Sequence, residues 1–396
     1  MNILYVVQNY YPEDTGGAGR SVQMLAEAMA RQGHTVSVVR LSDKKGASYA
    51  HNGVQIYPLP VRNLYYYYPH AKKQNPAWKK MIWHAIDMFN PFTLWDFNKV
   101  LNEVKPDVVN TNTLSGFSTS LFYLVKWKGI RLVHTMRDYY LMCPQSGMYK
   151  NGCNCEEICT SCKPFAFVRR LACKKVDVFL ANSHFVLERH KLHNMLPDTA
   201  KQYAQYNMNA EGPMADVRQR DLTKPLRFGF IGNINATKGT DVLIKAFTHL
   251  GAEGWTLAVA GTGAEDFMDY VKCMAPPNVT FLGWAKSAEF YKDVDVLICS
   301  STYHDPLPRV IYEAYKAGLP VIATDRGGNP EIIEDGKTGY TYPADDVGVL
   351  ASILQKCLDM TSNEYTAMSA AALTKAKIFE PANILSEYAE KIALQR

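Results

Sequence analysis

The sequence predicts an α/β protein of two doubly wound domains facing each other across a cleft. Three observations carry this reading. The chain opens on a strand, a glycine loop, a helix and a second strand. The same grammar restarts at Leu226, and a length of 396 residues suits two cores better than one. Apolar residues make up 47% and charged residues 20%, as in ordinary globular enzymes. No apolar run approaches the ~20 residues that span a bilayer.

Each element follows in order. Asn2 to Val7 is an apolar strand without a basic leader or a small-residue cleavage site, so it reads as structure and the cytoplasm as compartment. Gly16-Gly17-Ala18-Gly19 follows, then a helical pattern from Ser21 to Gln32 with Val22, Leu25, Ala26 and Met29 on one face. Gly33 stops it, and Thr35 to Arg40 is the next strand. Further strands are expected at Val54–Tyr57, Val108–Thr111, Arg131–Thr135 and Val176–Ala181. In the second half, strands are expected at Leu226–Ile231, Trp255–Ala260, Val279–Leu282, Val294–Cys299 and Pro320–Thr324. Helices are expected at Thr240–Leu250 and Val310–Ala317. The domains are therefore drawn as 1–206, with a cysteine-rich insertion at about 143–173, a polar linker at 207–224, and 225–377. Residues 378–396 form a final helix returning to the first domain.

Charge divides along the same line. Residues 1–205 carry 25 Lys and Arg against 14 Asp and Glu, whereas residues 206–396 carry 18 against 24. A basic half suits an anionic membrane surface or a phosphate-bearing acceptor, and charge alone favours a plain solvated face slightly over either.

The second half holds the clearest chemistry. Asp305 sits on a loop after a strand and Glu313 one turn into the following helix. A carboxylate there can accept hydrogen bonds from a ribose diol, and helix-start amides can bind phosphate. Alone, Glu313 would be a helix acid favoured by the macrodipole. Its surroundings change that reading. Glu313, Ala314, Gly318, Pro320-Val321-Ile322-Ala323-Thr324, Gly327-Gly328 and Glu331 stand in one pattern, closed by Gly336-Lys337-Thr338-Gly339. Upstream lies Gly232-Asn233-Ile234-Asn235-Ala236-Thr237-Lys238-Gly239.

These motifs resemble those of glycosyltransferase family four, whose members have the GT-B fold, and the resemblance covers both halves. It implies a retaining transferase that takes a nucleoside-diphosphate sugar as donor and needs no catalytic metal. Glu313 would bind the ribose, Asp305 the transferred sugar, and Lys238 the diphosphate whose leaving charge must be stabilised. The Leu307 and Arg309 amides would help, and Gly16 and Gly17 would let backbone approach the donor. Gly261 and Gly263 would border the base. Asn233 stands where members often carry Arg, with Arg309 as a replacement cation, and Pro308 replaces a common glycine. In the first domain Arg137 takes the place of a usual histidine, so either His134 fills that role or the guanidinium contacts the donor.

Three further features bear on partners. Cys143, Cys153, Cys155, Cys159, Cys162 and Cys173 cluster, and the Cys159-x-x-Cys162 half-site reads either as free thiols or as structural zinc on Cys153, Cys155, Cys159 and Cys162. Asp293-Val294-Asp295 resembles a metal motif but leads straight into a strand, so it reads as a connection. Tyr65 to Tyr68, Lys72, Lys73, Trp78, Lys79, Lys80, Trp83 and Phe89 mix aromatics with cations, as an interfacial helix or a core-packed one would. The expected acceptor is a glycan or a lipid-linked acceptor, and the expected further partner a peripheral membrane surface. No motif points to nucleic acid. An epimerase of the same fold and a non-catalytic nucleotide-sugar-binding protein are the alternatives.

Overall fold

The computed structural model describes residues 1–12, 16–44, 46–65 and 75–393. The chain divides into two compact units. The first comprises Met1–Met148, Cys155–Met208 and Pro381–Arg396, and the second Tyr149–Asn154 with Asn209–Glu380.

In the first unit, strands lie in the order Lys201–Ala204, Val178–Ala181, Arg131–Met136, Val108–Thr111, Asn2–Val7, Thr35–Ser42, Val54–Pro60 and Tyr49–His51. All pair in parallel except Tyr49–His51, which closes the edge antiparallel to Val54–Pro60. The alternation of the first strand explains its apolar run. Ile3, Tyr5 and Val7 pack with Val22, Leu25 and Met29 on one face, while Leu4 and Val6 join Phe97, Leu121 and Phe122 on the other. Both faces are covered, so both must be apolar. The helix Gly16–Arg31 starts earlier than Ser21, because the glycine stretch is itself helical and the Ser21 hydroxyl donates back to the Gly17 carbonyl at 2.7 Å.

A buried ion pair ties two helices beneath this sheet. Arg169, on Lys163–Cys173, reaches Asp87 of Ala77–Met88 at 3.4 Å, and both side chains are fully buried. Asp87 also accepts from the Tyr140 hydroxyl at 2.8 Å and the Gly116 N–H at 2.7 Å. Burial pushes the Asp87 carboxyl up to about 6 despite the guanidinium beside it. The helix Pro381–Ile392 belongs to this unit, where the Tyr388 hydroxyl accepts from Asn110 at 2.6 Å and its ring lies 6.4 Å from that of Tyr5.

The second unit is a six-stranded parallel sheet, ordered Val279–Gly283, Trp255–Ala260, Leu226–Ile231, Val296–Cys299, Val321–Thr324 and Gly339–Tyr342. The order in which its strands are added reverses between Leu226–Ile231 and Val296–Cys299, which run parallel and leave a crevice at their carboxyl ends. Within the stretch 207–224, Arg218 is bound to this unit. Its guanidinium donates to the carbonyls of Ala317, Val294 and Tyr291 at 2.8, 2.7 and 2.6 Å.

Candidate functional site

Two loops flank that reversal point, and each delivers one member of an ion pair. The first, Gly232 to Gly239, follows the strand Leu226–Ile231. Asn235 shapes it, its side chain accepting from the Lys238 N–H at 3.0 Å and the Thr237 hydroxyl at 2.8 Å. The turn Ala236–Lys238 then ends on Gly239, which has φ 63°. A Cβ at Gly239 would stand 2.0 Å from the Ser300 carbonyl oxygen, so only glycine lets this loop lie on its neighbour. The second loop, Ser300 to Pro308, follows Val296–Cys299 and leads into the helix Arg309–Lys316.

Lys238 Nζ meets Asp305 Oδ2 at 2.5 Å and lies 5.1 Å from the centre of the Tyr303 ring. Burial opposes the charge on Lys238, but the Asp305 carboxylate outweighs it and holds the ammonium above its ordinary pKa. Burial, and then Asp305, push the Tyr303 hydroxyl upward. One turn further, Arg309 Nη2 donates to Glu313 Oε1 at 2.7 Å, and the Tyr291 hydroxyl donates to Glu313 Oε2 at 3.1 Å. The site therefore offers two cations and two carboxylates at one end of a parallel sheet. A polyanion joined to a polyhydroxyl group matches that chemistry.

The remaining expected residues fall in different settings. Leu307 is buried and Asn233 exposed on the first loop. Gly261 has φ 139°, and a Cβ there would lie 1.8 Å from the Gly232 carbonyl oxygen, while Gly263 bridges Ile234. These glycines account for themselves by letting two loops pair. Gly16 and Gly17 are exposed at the start of their helix. In the first unit, Arg137 Nε donates to Asn112 Oδ1 at 2.8 Å and its guanidinium also meets Asn207. His134 lies apart from that polar group, in the core. Its Nδ1 is 2.9 Å from the Thr111 hydroxyl, and its ring packs edge-on against Phe122 and Phe179. Burial pushes its pKa down to about 3.

Of the two readings of the cysteine cluster, the geometry does not support structural zinc on Cys153, Cys155, Cys159 and Cys162. Among the described residues no group of three or more His, Cys, Asp or Glu side chains is set to hold a metal ion. Cys153 is exposed in the second unit, whereas Cys155, Cys159 and Cys162 belong to the first. Cys155 and Cys159 lie with sulfurs 3.5 Å apart, and burial pushes the thiols of Cys155 and Cys162 up to about 11. Asp295 is committed to Arg227, at 2.7 Å, as a strand-edge connection.

Sequence reasoning missed Asn235, Tyr291, Tyr303 and a small hairpin, Tyr149–Lys150 with Cys153–Asn154. Asn151-Gly152 was the signal for the hairpin, since both residues have positive φ, 52° and 80°. The expected aromatic and basic stretch falls partly outside the described residues, at Tyr66, Tyr67, Tyr68, Lys72 and Lys73. Its described part is Tyr65, Phe89 and the helix Ala77–Met88, which buries Trp83 and Asp87.

Comparison with known proteins adds two family models: "Glycosyl transferase 4-like domain" over residues 16–198 and "Glycosyl transferases group 1" over residues 225–360. An uncharacterised 42.6 kDa protein in the cps region of Klebsiella pneumoniae is 32% identical over 333 residues, covering 84% of this chain and 87% of that one. The amylovoran biosynthesis glycosyltransferase AmsK of Erwinia amylovora is 26% identical over 185 residues, 43% of this chain and 45% of that one. Anabaena Alr3699/HepE, solved in complex with UDP, shares the fold with a TM-score of 0.72 at 17% identity over 99% of both chains.

Proposed function

From a chain that belongs to glycosyltransferase family four and has its GT-B fold, we propose a retaining enzyme that moves a hexose-type sugar from a nucleoside-diphosphate sugar to a glycan or lipid-linked acceptor. The observation that carries this is the pair Lys238–Asp305 at the reversal point, with Arg309–Glu313 one turn away. Glu313 would take the ribose hydroxyls and Asp305 the transferred sugar. As the bond from the anomeric carbon to the diphosphate oxygen breaks, negative charge grows on the leaving group. Lys238 and Arg309 would lie close to that charge and would stabilise it without a catalytic metal. Asp305 would then release Lys238 to the diphosphate. Arg137, Asn112 and the Gly16-Gly17 backbone at the start of its helix would be groups of the first unit that meet donor or acceptor.

A role in surface-polysaccharide synthesis is supported by the relatives named for a cps region and for amylovoran. Contact with the inner face of a membrane is supported by the helix Ala77–Met88. Trp78, Met81, Ile82, Ala85 and Phe89 follow helical spacing on one outward stripe, opposite the buried Trp83 and Asp87. Phe92 and Trp95 are exposed on the next helix, and Lys79, Lys80 and Lys99 supply the positive charge.

Turnover tests the reaction. The full chain is incubated with UDP-glucose, UDP-galactose, UDP-N-acetylglucosamine and GDP-mannose, and the first anomer released is read by proton NMR. Hydrolysis of one donor with retention is expected. Hydrolysis of none, or first formation of the inverted anomer, contradicts the proposal.

A further inference from the structure

The loop that carries Asp305 is held by a residue outside every motif above. Tyr149–Lys150 and Cys153–Asn154 pair as a two-stranded hairpin, and this hairpin belongs to the second unit. Asn154 Nδ2 donates to the Thr302 carbonyl at 3.0 Å, and Asn154 Oδ1 accepts the His304 N–H at 2.8 Å. One side-chain amide thus pairs with the backbone on both sides of Tyr303, as a neighbouring strand would. The Tyr149 hydroxyl reaches Thr302 Oγ1 at 3.4 Å, and the two rings of Tyr149 and Tyr303 meet edge-on at 6.5 Å.

What Asn154 holds is mechanically close to the chemistry. Thr302 and Asp305 are both buried, so peptide groups stripped of a partner there are costly. The Asp305 N–H donates to the Tyr303 carbonyl at 2.8 Å, while the Tyr303 ring lies 5.1 Å from Lys238 Nζ. His304 Nδ1 accepts from the Gly327 N–H at 3.3 Å, and the Asp305 carbonyl accepts from the Gly328 N–H at 3.0 Å. Moving Thr302–Asp305 therefore moves both members of the ion pair and the adjacent glycine turn.

We propose that Asn154 is a positioning residue for sugar transfer: its amide sets the Thr302–Asp305 loop and, through it, the Lys238–Asp305 pair. This rests on the donor reading given above. Displacement of a reacting group by an ångström costs on the order of a hundredfold in rate, whereas the nucleoside end of the donor would be held by Glu313 and would feel little of it.

The test uses the full chain, Asn154→Ala and Asn154→Asp, with whichever of the four donors the wild type hydrolyses. Asp keeps the acceptor toward His304 and loses the donor toward Thr302, at nearly unchanged volume. Both variants are expected to lose roughly ten- to a hundredfold in kcat. KM, and the affinity for the matching nucleoside diphosphate by calorimetry, should change by less than about threefold, roughly 0.6 kcal/mol. Melting temperature should fall by a few degrees at most, the cost of leaving the Thr302 carbonyl or the His304 N–H without its partner. Wild-type kcat in both variants overturns the inference and leaves the donor reading standing. A parallel fall in kcat, nucleoside diphosphate affinity and melting temperature also overturns it, because Asn154 would then be a structural prop. A wild type that binds and hydrolyses no donor removes the donor reading and this inference together.

Discussion

Burial decides what His134 can do. Its imidazole sits between Phe122 and Phe179 with a pKa near 3, while an unfolded histidine titrates near 6.5. Between those values the unfolded chain binds a proton that the folded chain refuses. Stability from this residue is therefore present above about pH 6.5 and falls as pH drops toward 3, by up to about 1.4 kcal/mol per pH unit. Asp87 and Asp138 act in the opposite sense, because burial raises both to about 6 and they take up protons on folding. Their contribution is present below about pH 4 and falls as pH rises to about 6. Urea denaturation of His134→Phe from pH 4 to pH 7 should show a flatter acid limb than wild type; the Thr111 hydroxyl keeps its bond to the Val133 carbonyl at 3.2 Å. An unchanged slope would mean that His134 does not govern acid lability. Lys238, Asp305, Arg309 and Glu313 were legible at this scale because a motif fixes residue type and spacing together. Asn235, Tyr291 and Tyr303 were not, since their partners are decided by how two loops meet.

Among the elements, the helix Ala77–Met88 reverses the usual pattern. Its polar Asp87 is buried against Arg169, so the stripe of Trp78, Met81, Ile82 and Phe89 turns outward, exposed by 61, 66, 41 and 45%. A core-packed reading of this stretch holds for Trp83, whose indole N–H donates to the Tyr65 carbonyl at 3.0 Å, and fails for the exposed Trp78 and Met81. The sequence could not separate the two because periodicity names a face without saying what it meets. Sedimentation with vesicles of phosphatidylglycerol and phosphatidylethanolamine separates them. Wild type should bind, with salt weakening the interaction, and Trp78→Ala combined with Trp95→Ala should weaken it by about tenfold or more. Absence of vesicle binding, or a stripe that instead drives self-association in solution, would contradict the membrane contact. The cysteine-rich stretch shows the same limit, since Cys153 stands on a hairpin of one unit and Cys155 in the other.

At the scale of the whole molecule, the strand–loop–helix grammar was enough to call two parallel sheets, because strands buried on both faces leave near-continuous apolar runs. The edge strands Tyr49–His51, Lys201–Ala204 and Gly339–Tyr342 escaped it: the first has only three residues, and Lys201–Ala204 is half-buried throughout and carries no apolar run. Sheet order was also beyond the sequence, and it is the order that creates the reversal point between Leu226–Ile231 and Val296–Cys299. That crevice is why loops distant in sequence deliver Lys238 and Asp305 to one place, with Glu313 on the helix that follows. The central claim is that this cluster binds a nucleotide sugar. Calorimetric titration of the full chain and of Glu313→Ala with the four donors tests it most directly. Wild type should bind one donor with simple stoichiometry, and Glu313→Ala should weaken that binding by about tenfold or more, the worth of a charge-assisted hydrogen-bond pair. Failure of wild type to bind any donor, or equal affinity in the two proteins, would contradict the account.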